Sequence, residues 1–369
     1  MTGEIDQSIL SSYWTNGGVV VSYFEGTRVV SRLIDLDGKL QDIKIMDGWS
    51  AWIDRGNLAG DFAASVFSSN KPPALMYSSK GAQGIIAMSQ LEVNPVETIA
   101  WKSKDGTEIQ GVIRYPPEYD DSKKYPFAFI VHGGPSWVSM ESTVTSGHLR
   151  YYPALQLSKQ GVIIVEPNYR GSIGRGQKFL ELNVNNLGIG DLWDIESCID
   201  FLGDRVDPNK VYCMGWSQGG YISAMATTHS DKFAAVSVGA GISDWYSYWM
   251  TTDIRNFTED YLSSNPLKDR EIYRKTSPMS AIDRAKTPTL IQIGQNDNRV
   301  PLVNATELYR TLKLKGVETY LFMYPGMPHG INKPKENLAI ITQNYQWFSH
   351  HIFGTELDFL PVDESEEES

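Results

Sequence analysis

Residues 1 to about 92 alternate between short apolar runs and turn-forming residues, and they show no helical period. Residues 18–24, 28–34 and 63–67 are rich in β-branched and aromatic types, and Asp37 and Gly38 form a hairpin turn signal. Propeller blades of four strands take about 40–50 residues, so this segment holds roughly two, whereas a closed ring needs at least about four. The pattern predicts either a small β-domain or the last blades of a larger propeller, with strand edges that need a partner.

From residue 93 onward, strands alternate with helices. Residues 97–102 and 107–115 predict a hairpin, and further strands are predicted at 126–131, 161–165, 210–214, 234–238, 289–293 and 319–324. Helical spacing predicts one apolar face made by Leu192, Ile195, Ile199 and Leu202, and another made by Leu338, Ile341, Tyr345, Phe348 and Ile352. Such alternation is typical of an α/β domain with a mostly parallel sheet, which we place at residues 93–355.

Charge and composition narrow the choice of partners. The formal net charge is −11, which argues against nucleic acid or an anionic membrane. Residues 356–369 hold a dense group of acidic side chains and predict a disordered acidic tail. The N-terminus lacks a basic-then-apolar signal pattern, and no apolar run reaches the length of a membrane span. We therefore expect a soluble, cytoplasmic chain.

The two cysteines, Cys198 and Cys213, lie in a helical and a strand pattern and are predicted to be small buried hydrophobes. No metal-ligand spacing is present. We expect neither a metal nor another cofactor.

A β-prone run, a G-x-S-x-G pattern and a helical run follow one another at residues 211–226. Ser217 lies between Gly215 and Gly219, and this strand–turn–helix context is typical of a nucleophile elbow. A tight turn strains the serine, and side chains at the glycine positions would clash with neighbouring backbone. We predict Ser217 as a nucleophile, the alternative being a glycine-rich turn without chemistry.

Two further residues follow strands in the chain order that an α/β-hydrolase triad requires. Asp297 follows the strand at 289–293 and His329 follows the strand at 319–324, so both belong to the same sheet edge as Ser217. We predict that His329 accepts the Ser217 proton and that Asp297 orients the imidazole and stabilises the imidazolium. The structural alternatives are a helix cap for Asp297 and a plain loop position for His329.

The run Val-His-Gly-Gly-Pro at residues 131–135 ends a strand with two glycines whose backbone N–H groups can approach a substrate oxygen. Loops of this type supply the oxyanion hole of lipases and esterases. We predict the N–H groups of Gly134 and Gln218 as the paired donors. His132 is predicted to be a structural hydrogen bonder, because the base of the triad must follow the aspartate.

Together these motifs resemble the catalytic domain of the prolyl oligopeptidase family of serine peptidases, nearest its acylaminoacyl peptidase and dipeptidyl peptidase branches. The matching segments are residues 132–135, 168–172, 188–191, 215–221, 277–278, 297–301 and 329–330. The resemblance implies an α/β-hydrolase fold with a mostly parallel eight-stranded sheet and helices on both faces. It also implies that residues 1–92 are a partial β-propeller, equivalent to the last blades of the domain that limits access to small peptides in this family.

The resemblance also implies substrate contacts. In acylaminoacyl peptidases an arginine two residues after the triad aspartate contacts a substrate carbonyl, and Arg299 occupies that position, the alternative being a surface salt bridge. Residues 244–249 align with aromatic residues that line the family's pocket for the side chain before the scissile bond. The candidates for this pocket are Trp245, Tyr248 and Val300, the alternative being plain core. No pair of glutamates suited to holding a free substrate amine is identified, which favours acyl peptides or short peptides in general.

Three functions follow in order of preference. The first is a serine peptidase acting on short peptides as an acylaminoacyl- or dipeptidyl-type exopeptidase. The second is a carboxylesterase with the same triad, and the third is a catalytically silent α/β-hydrolase scaffold used for binding. The partner is a short peptide or acyl peptide, and two further associations stay open: a homo-oligomer, or pairing with a missing portion of the propeller.

Overall fold

The computed structural model describes residues 5–80, 82–87, 92–145 and 147–359. Within the predicted acidic tail, residues 360–369 lie outside the described residues. All helices of the described part are too short or too polar to cross a membrane.

The N-terminal segment forms two antiparallel four-stranded sheets. The first contains β1 (Ile9–Thr15), β2 (Gly18–Glu25), β3 (Arg28–Asp35) and β4 (Leu40–Asp42), and the second contains β5 (Ser50–Gly56), β6 (Phe62–Phe67), β7 (Ala74–Ser79) and β8 (Ala82–Ala87). The turn signal at Asp37 and Gly38 lies between β3 and β4, where the Asp35 N–H donates to the Lys39 carbonyl across 2.9 Å. Two sheets of four strands match the two-blade expectation.

Buried serines connect the two sheets. The Ser22 and Ser31 hydroxyls lie 2.7 Å apart, and they donate to the carbonyls of Ile53 and Ala51 at 3.0 and 2.9 Å. Because a buried hydroxyl without a partner is costly, these bonds fix how β5 lies against β2 and β3. The polar residues of these strands thus contribute to packing, which an apolar pattern alone does not show.

The second part of the chain forms an eight-stranded sheet with the order β16-β15-β14-β13-β11-β12-β10-β9. Its strands are β9 (Val96–Lys102), β10 (Glu108–Arg114), β11 (Tyr125–Val131), β12 (Ile163–Asn168), β13 (Val206–Trp216), β14 (Ala235–Gly239), β15 (Thr289–Gly294) and β16 (Thr319–Tyr324). Strands β11 to β16 pair in parallel, and β10 runs antiparallel to both of its neighbours, β9 and β12. The predicted α/β-hydrolase fold with a mostly parallel eight-stranded sheet is confirmed.

Nine α-helices accompany this sheet in the described part of the chain. They are α1 (Ala154–Lys159), α2 (Gln177–Leu180), α3 (Gly190–Leu202), α4 (Gln218–His229), α5 (Trp245–Thr251), α6 (Arg255–Leu262), α7 (Arg270–Lys275), α8 (Leu302–Leu314) and α9 (Pro334–Phe353). Helices on both faces bury strands such as β12, β14 and β15 along their whole length.

The prediction of an apolar face on α9 is wrong at Leu338, the first residue of that face. Leu338 is 65% exposed, whereas the polar Gln343 and Asn344 are buried. The Asn344 amide accepts from the Ser237 hydroxyl at 2.7 Å and donates to the Gln292 side chain at 2.8 Å. Polar side chains can be buried in a core when their hydrogen bonds are formed. The buried face of α9 therefore includes polar residues and is rotated away from the stripe of apolar residues.

The N-terminal sheets contact the α/β region beside the sheet edge that bears the loops. The Gly26 N–H donates to the Gly174 carbonyl at 2.7 Å, and the Glu141 N–H donates to the Thr27 carbonyl at 2.8 Å. A small buried cluster joins the two regions at this place: Phe24, Val29, Val138, Met140 and Ile173.

Candidate active site

Ser217 occupies a strained turn between β13 and α4. Its backbone has φ 62° and ψ −121°, a left-handed conformation that costs roughly 1–3 kcal/mol for a residue other than glycine. A Cβ added at Gly219 would lie 2.0 Å from the Val131 carbonyl oxygen, so only glycine fits there. The elbow predicted from the G-x-S-x-G pattern is therefore present, and it holds Ser217 at the C-terminal edge of the sheet.

The structure brings Ser217, His329 and Asp297 together. His329 Nε2 lies 2.9 Å from Ser217 Oγ, and His329 Nδ1 lies 2.7 Å from Asp297 Oδ2. The Trp216 indole N–H donates to the His329 carbonyl at 2.9 Å and holds the histidine loop against the elbow. Distances of this size on both imidazole nitrogens let the ring take a proton from a hydroxyl while a carboxylate orients it.

Asp297 does not take the helix-capping role that was its structural alternative, because Pro301 is the N-cap residue of α8 and no side chain caps that helix. Its side chain instead fixes the turn that precedes α8. Its Oδ1 atom accepts the backbone N–H groups of Arg299 and Val300, each at 2.9 Å, while Oδ2 faces His329. The Asp297 side chain is fully buried. Two backbone donors thus fix one carboxylate oxygen, so the other is presented to the imidazole in one orientation.

The predicted oxyanion donors lie beside the nucleophile. A Cβ added at Gly133 would lie 3.2 Å from the Ser217 Cβ, which places the Gly133–Gly134 backbone against the elbow. Gly134 has φ +130°, a conformation that favours glycine. Gln218 is the first residue of α4, where backbone N–H groups lack partners within the helix and the helix dipole favours negative charge.

His132 lies within a buried hydrogen-bond network. Its Nδ1 atom is 2.7 Å from the Gly133 carbonyl, its Nε2 atom is 3.0 Å from the Ser172 hydroxyl, and its ring stacks on Tyr169. Burial lowers the pKa of His132 to about 4, so the ring is neutral near pH 7. These contacts favour the structural role over a second base.

The three predicted pocket residues are all buried. Trp245, Tyr248 and Val300 are 0%, 1% and 2% exposed, and the Trp245 indole N–H donates to the Thr276 carbonyl at 3.1 Å. Trp245 packs against Phe257, which packs against Tyr261, and both of these rings are half-buried. Phe257 and Tyr261 are therefore the partly exposed members of this aromatic group.

Arg299 forms a salt bridge, which was the alternative to its predicted contact with substrate. Arg299 Nε donates to Asp253 Oδ1 at 2.8 Å, and both side chains are almost half exposed. Hydrogen bonding to Asp253 raises the pKa of Arg299 above its ordinary value. The ion pair fixes the position of the guanidinium beside the triad loop.

Sequence reasoning missed a cavity next to the elbow. It has a volume of about 320 Å³. Its lining comprises His132, Gly133, Gly134, Ser136, Trp137, Gly147, His148, Leu149 and Arg150. Residues 147–151 form a short 3₁₀ turn, which carries no periodic signal, so nothing in the sequence connected His148 or Arg150 with the site.

One group of side chains in the described part could hold a metal ion. Ligand atoms of Glu318, His350 and His351 lie within 4.8 Å of one another. Glu318 precedes β16 whereas His329 follows it, so this group and the triad lie at opposite edges of the sheet. None of the three takes part in the arrangement around Ser217.

Comparisons with known proteins agree with this geometry. The sequence model of the prolyl oligopeptidase family matches residues 149–355. The uncharacterized peptidase YuxL of Bacillus subtilis is 28% identical over 263 residues, which are 69% of this chain and 39% of the relative. The human acylamino-acid-releasing enzyme is 25% identical over 323 residues, which are 81% of this chain and 43% of that enzyme.

A solved structure is also similar over nearly the whole chain. The acylaminoacyl peptidase of Pyrococcus horikoshii superposes with a TM-score of 0.83 at 25% identity, covering 97% of this chain and 58% of that one. The superposition includes the N-terminal sheets as well as the α/β region. The chain spans less than half the length of either of these two curated relatives.

Proposed function

This chain belongs to the prolyl oligopeptidase family, and we propose that it is a serine peptidase that hydrolyses short peptides as an acylaminoacyl- or dipeptidyl-type exopeptidase. The observation that carries the proposal is the continuous line of contacts from Ser217 Oγ through His329 to Asp297, at 2.9 and 2.7 Å. A silent scaffold would have no need to maintain the strained backbone of Ser217.

Acylation begins when His329 Nε2 takes the proton of Ser217 Oγ as the oxygen attacks the scissile carbonyl carbon. The new C–O bond leaves a negative charge on the substrate oxygen, and the N–H groups of Gly134 and Gln218 donate to it. His329 then gives its proton to the leaving nitrogen, the C–N bond breaks, and an acyl-serine ester remains. Asp297 holds the ring and stabilises its positive charge between the two transfers.

Deacylation repeats these steps with water. His329 takes a proton from the water molecule as its oxygen attacks the ester carbonyl, and the same two N–H groups stabilise the oxyanion. The C–O bond to Ser217 breaks, and His329 returns the proton to Oγ. The products are a carboxylic acid and the restored hydroxyl, so no cofactor takes part in this sequence.

The proposed substrate contacts come from α5, α6 and the turn before α8. We assign the side chain before the scissile bond to the aromatic residues of α5 and α6, with Trp245, Tyr248 and Val300 as its floor. Arg299 would donate to a backbone carbonyl of the substrate from the part of its guanidinium that Asp253 does not occupy. The names of the relatives favour N-blocked peptides over free ones.

A hydrolysis panel tests the function. Acetyl-aminoacyl, free aminoacyl and dipeptidyl anilides are compared with short-chain nitrophenyl esters, each with the Ser217→Ala variant as control. Anilide cleavage that disappears in the variant is the expected result, and the best anilide identifies the branch. Activity on esters alone would replace the peptidase with the carboxylesterase, and activity that persists in the variant would remove Ser217 from the mechanism.

The location and assembly of the protein belong to the same proposal. We place it in the cytoplasm, and its two cysteines, which are free and buried, are in keeping with a reducing compartment. We also propose that edge strands of the N-terminal sheets pair with another chain, because an unpaired edge leaves backbone donors and acceptors exposed.

A further inference from the structure

We propose that the cavity between residues 132–137 and residues 147–150 holds the leaving-group side of the substrate, and that Arg150 binds a free C-terminal carboxylate there. The inference rests on the proposed function, because it assigns the part of a peptide that leaves during acylation. It predicts a preference for short acyl peptides whose C-terminus lies close behind the scissile bond.

The position of the cavity relative to the triad defines which end of the peptide it receives. His329 gives its proton to the leaving nitrogen, so the leaving group lies on the His329 side of the tetrahedral carbon. His148, which lines the cavity, lies edge-on to His329 with ring centroids 5.7 Å apart. Gly133 and Gly134 line the same cavity and border Ser217. The cavity therefore opens from the reacting centre toward the leaving group.

The acyl side of the substrate has a different set of walls. Trp245 and Tyr248 belong to α5, and Phe257 and Tyr261 belong to α6. None of these four residues lines the cavity. The two walls meet at one point, where the Ser136 and Tyr261 hydroxyls lie 3.2 Å apart. The described residues thus provide separate surfaces for the two halves of a cleaved peptide.

The charge of the cavity comes from Arg150. No acidic residue is among its lining residues. Burial lowers the pKa of His148 to about 4, with smaller effects in the same direction from His329 and Arg150, and burial lowers the pKa of His132 to about 4 as well. Both rings are therefore neutral near pH 7, and the guanidinium is the permanent positive charge of this lining.

Arg150 is held in place by groups that leave its charge unneutralised. Its Nη1 atom donates to the Gly147 carbonyl at 3.0 Å, its Nη2 atom donates to the Ile331 carbonyl at 3.5 Å, and its guanidinium lies over the Tyr151 ring at 5.0 Å. Among the described residues no carboxylate lies within salt-bridge distance of it, although the chain carries a net charge of −11. An exposed, oriented guanidinium with spare N–H donors can bind a carboxylate in bidentate fashion.

Aromatic and aliphatic walls complete the subsite. Trp137 and Leu149 line the cavity beside His148, whose ring also stacks on Tyr151. A peptide residue could place its side chain on these walls while its carboxylate reaches Arg150. In a longer peptide the C-terminal carboxylate would lie farther from the scissile bond. The positive charge of Arg150 therefore selects for peptide length as well as for a free C-terminus.

Binding to the inactive Ser217→Ala variant tests the subsite without requiring turnover. Acetyl-Ala-Ala and acetyl-Ala-Ala-Ala are titrated calorimetrically, each as the free acid and as the C-terminal amide. We expect the acid of at least one length to bind about tenfold more tightly than its amide, the size of effect that a hydrogen bond to a charged group gives. Adding Arg150→Gln should bring that ratio close to one, and Arg150→Lys should restore part of it.

Arg310→Gln is the matched control, because Arg310 is an exposed arginine on α8 outside the cavity and the ratio should not change. Equal binding of acid and amide at both lengths, a preference that survives Arg150→Gln, or undetectable binding of both acids at millimolar concentration would each overturn the subsite. Preferential acid binding by a protein that hydrolyses nothing in the panel would support the subsite and refute the peptidase.

Discussion

The α/β region and the N-terminal sheets differ in how much of each strand is buried. Strands β12, β14 and β15 are buried along their whole length, because helices cover both faces of the sheet. Strand β1 has no buried residue, and β6 alternates between buried and open positions. Large apolar side chains also remain exposed on the strands and turns of the N-terminal segment: Trp14, Leu36, Leu58, Tyr77 and Ile86.

This difference in burial explains why the triad residues lie in the α/β region. A sheet that is fixed on both faces can hold Ser217, Asp297 and His329 at its edge with the small tolerances that proton transfer requires. The N-terminal sheets support a wall of the site from behind instead, since Phe24 packs edge-on against Trp137 with ring centroids 6.5 Å apart. Trp137 lines the cavity beside the oxyanion loop, so the two regions meet at the site.

The largest effect on activity is expected from a substitution within the α/β region. Asp297→Asn should lower kcat by roughly four orders of magnitude, because an amide at this position favours the wrong tautomer of the His329 imidazole. Steady-state kinetics on the best anilide measure the loss. Asp121→Asn serves as the control, since Asp121 is an exposed carboxylate before β11, at the opposite end of that strand from the oxyanion loop. A kcat within tenfold of the original value would mean that Asp297 acts mainly by fixing the turn at Arg299 and Val300, whose amides it accepts.

Local patterns were enough to predict the elbow and the order of the triad residues. The G-x-S-x-G turn, the strand before Asp297 and the strand before His329 are all encoded within short runs of sequence. Parallel strands bring their carboxyl ends to one edge, so a correct list of strands was enough to bring distant residues together. The structure places all three side chains in contact there.

Features that depend on tertiary packing could not be predicted in this way. The buried face of α9 depends on bonds from Asn344 to Ser237 and Gln292, which lie more than fifty residues away. The cavity beside Arg150 depends on how a 3₁₀ turn lies against the oxyanion loop. Strands β1, β5, β7 and β8 also escaped detection, because half-exposed strands in small sheets carry a weaker apolar signal.

A second prediction concerns the contact between the regions. Phe24→Ala should lower the free energy of unfolding by about 3–5 kcal/mol, because it leaves an unfilled space in the core. It should also lower kcat/KM, because Trp137 can move into the space that the Phe24 ring occupied. Ile53→Ala is the matched variant, as Ile53 is fully buried but packs only among N-terminal residues. It should cost about 2–5 kcal/mol and leave kcat/KM unchanged. Denaturant unfolding and anilide kinetics on both variants separate the effects, and equal loss of activity in the two would contradict the proposed wall.

The regions should also differ in how their stability depends on pH. Burial raises the pKa of Glu166 on β12 to about 7, above its ordinary value of 4.5, and nearby Arg114 offsets part of that shift. Folding therefore takes up a proton at this site between about pH 4.5 and 7. The favourable contribution is complete below pH 4.5 and disappears as pH rises through 7.

Glu166→Gln should flatten this dependence, changing the free energy of unfolding at pH 8 relative to pH 5 by no more than about 3 kcal/mol. Asp61 in the N-terminal segment is the control, because backbone hydrogen bonding from Lys80 lowers its pKa and Asp61→Asn should not alter the slope above pH 5. Thermal melts between pH 5 and 8 provide the measurement. An unchanged slope in Glu166→Gln would show that Glu166 is ionised throughout this range.

The smallest effect on stability is expected at the exposed face of the N-terminal sheets. Trp14 is 63% exposed on the edge strand β1, so Trp14→Ser should change the free energy of unfolding by less than about 0.5 kcal/mol. It should nevertheless weaken association, which light scattering at micromolar concentration detects. A strict monomer before and after the substitution would refute pairing through these edges.

Covalent labelling of the nucleophile tests the central claim most directly. A fluorophosphonate reacts with a serine only when a base activates it, and the reaction does not depend on the identity of the natural substrate. We predict one adduct per chain by intact-mass spectrometry, located on Ser217 by peptide mapping and absent in Ser217→Ala and His329→Ala. An unlabelled protein, or an adduct on another residue, would contradict the account that Ser217, His329 and Asp297 form a working triad.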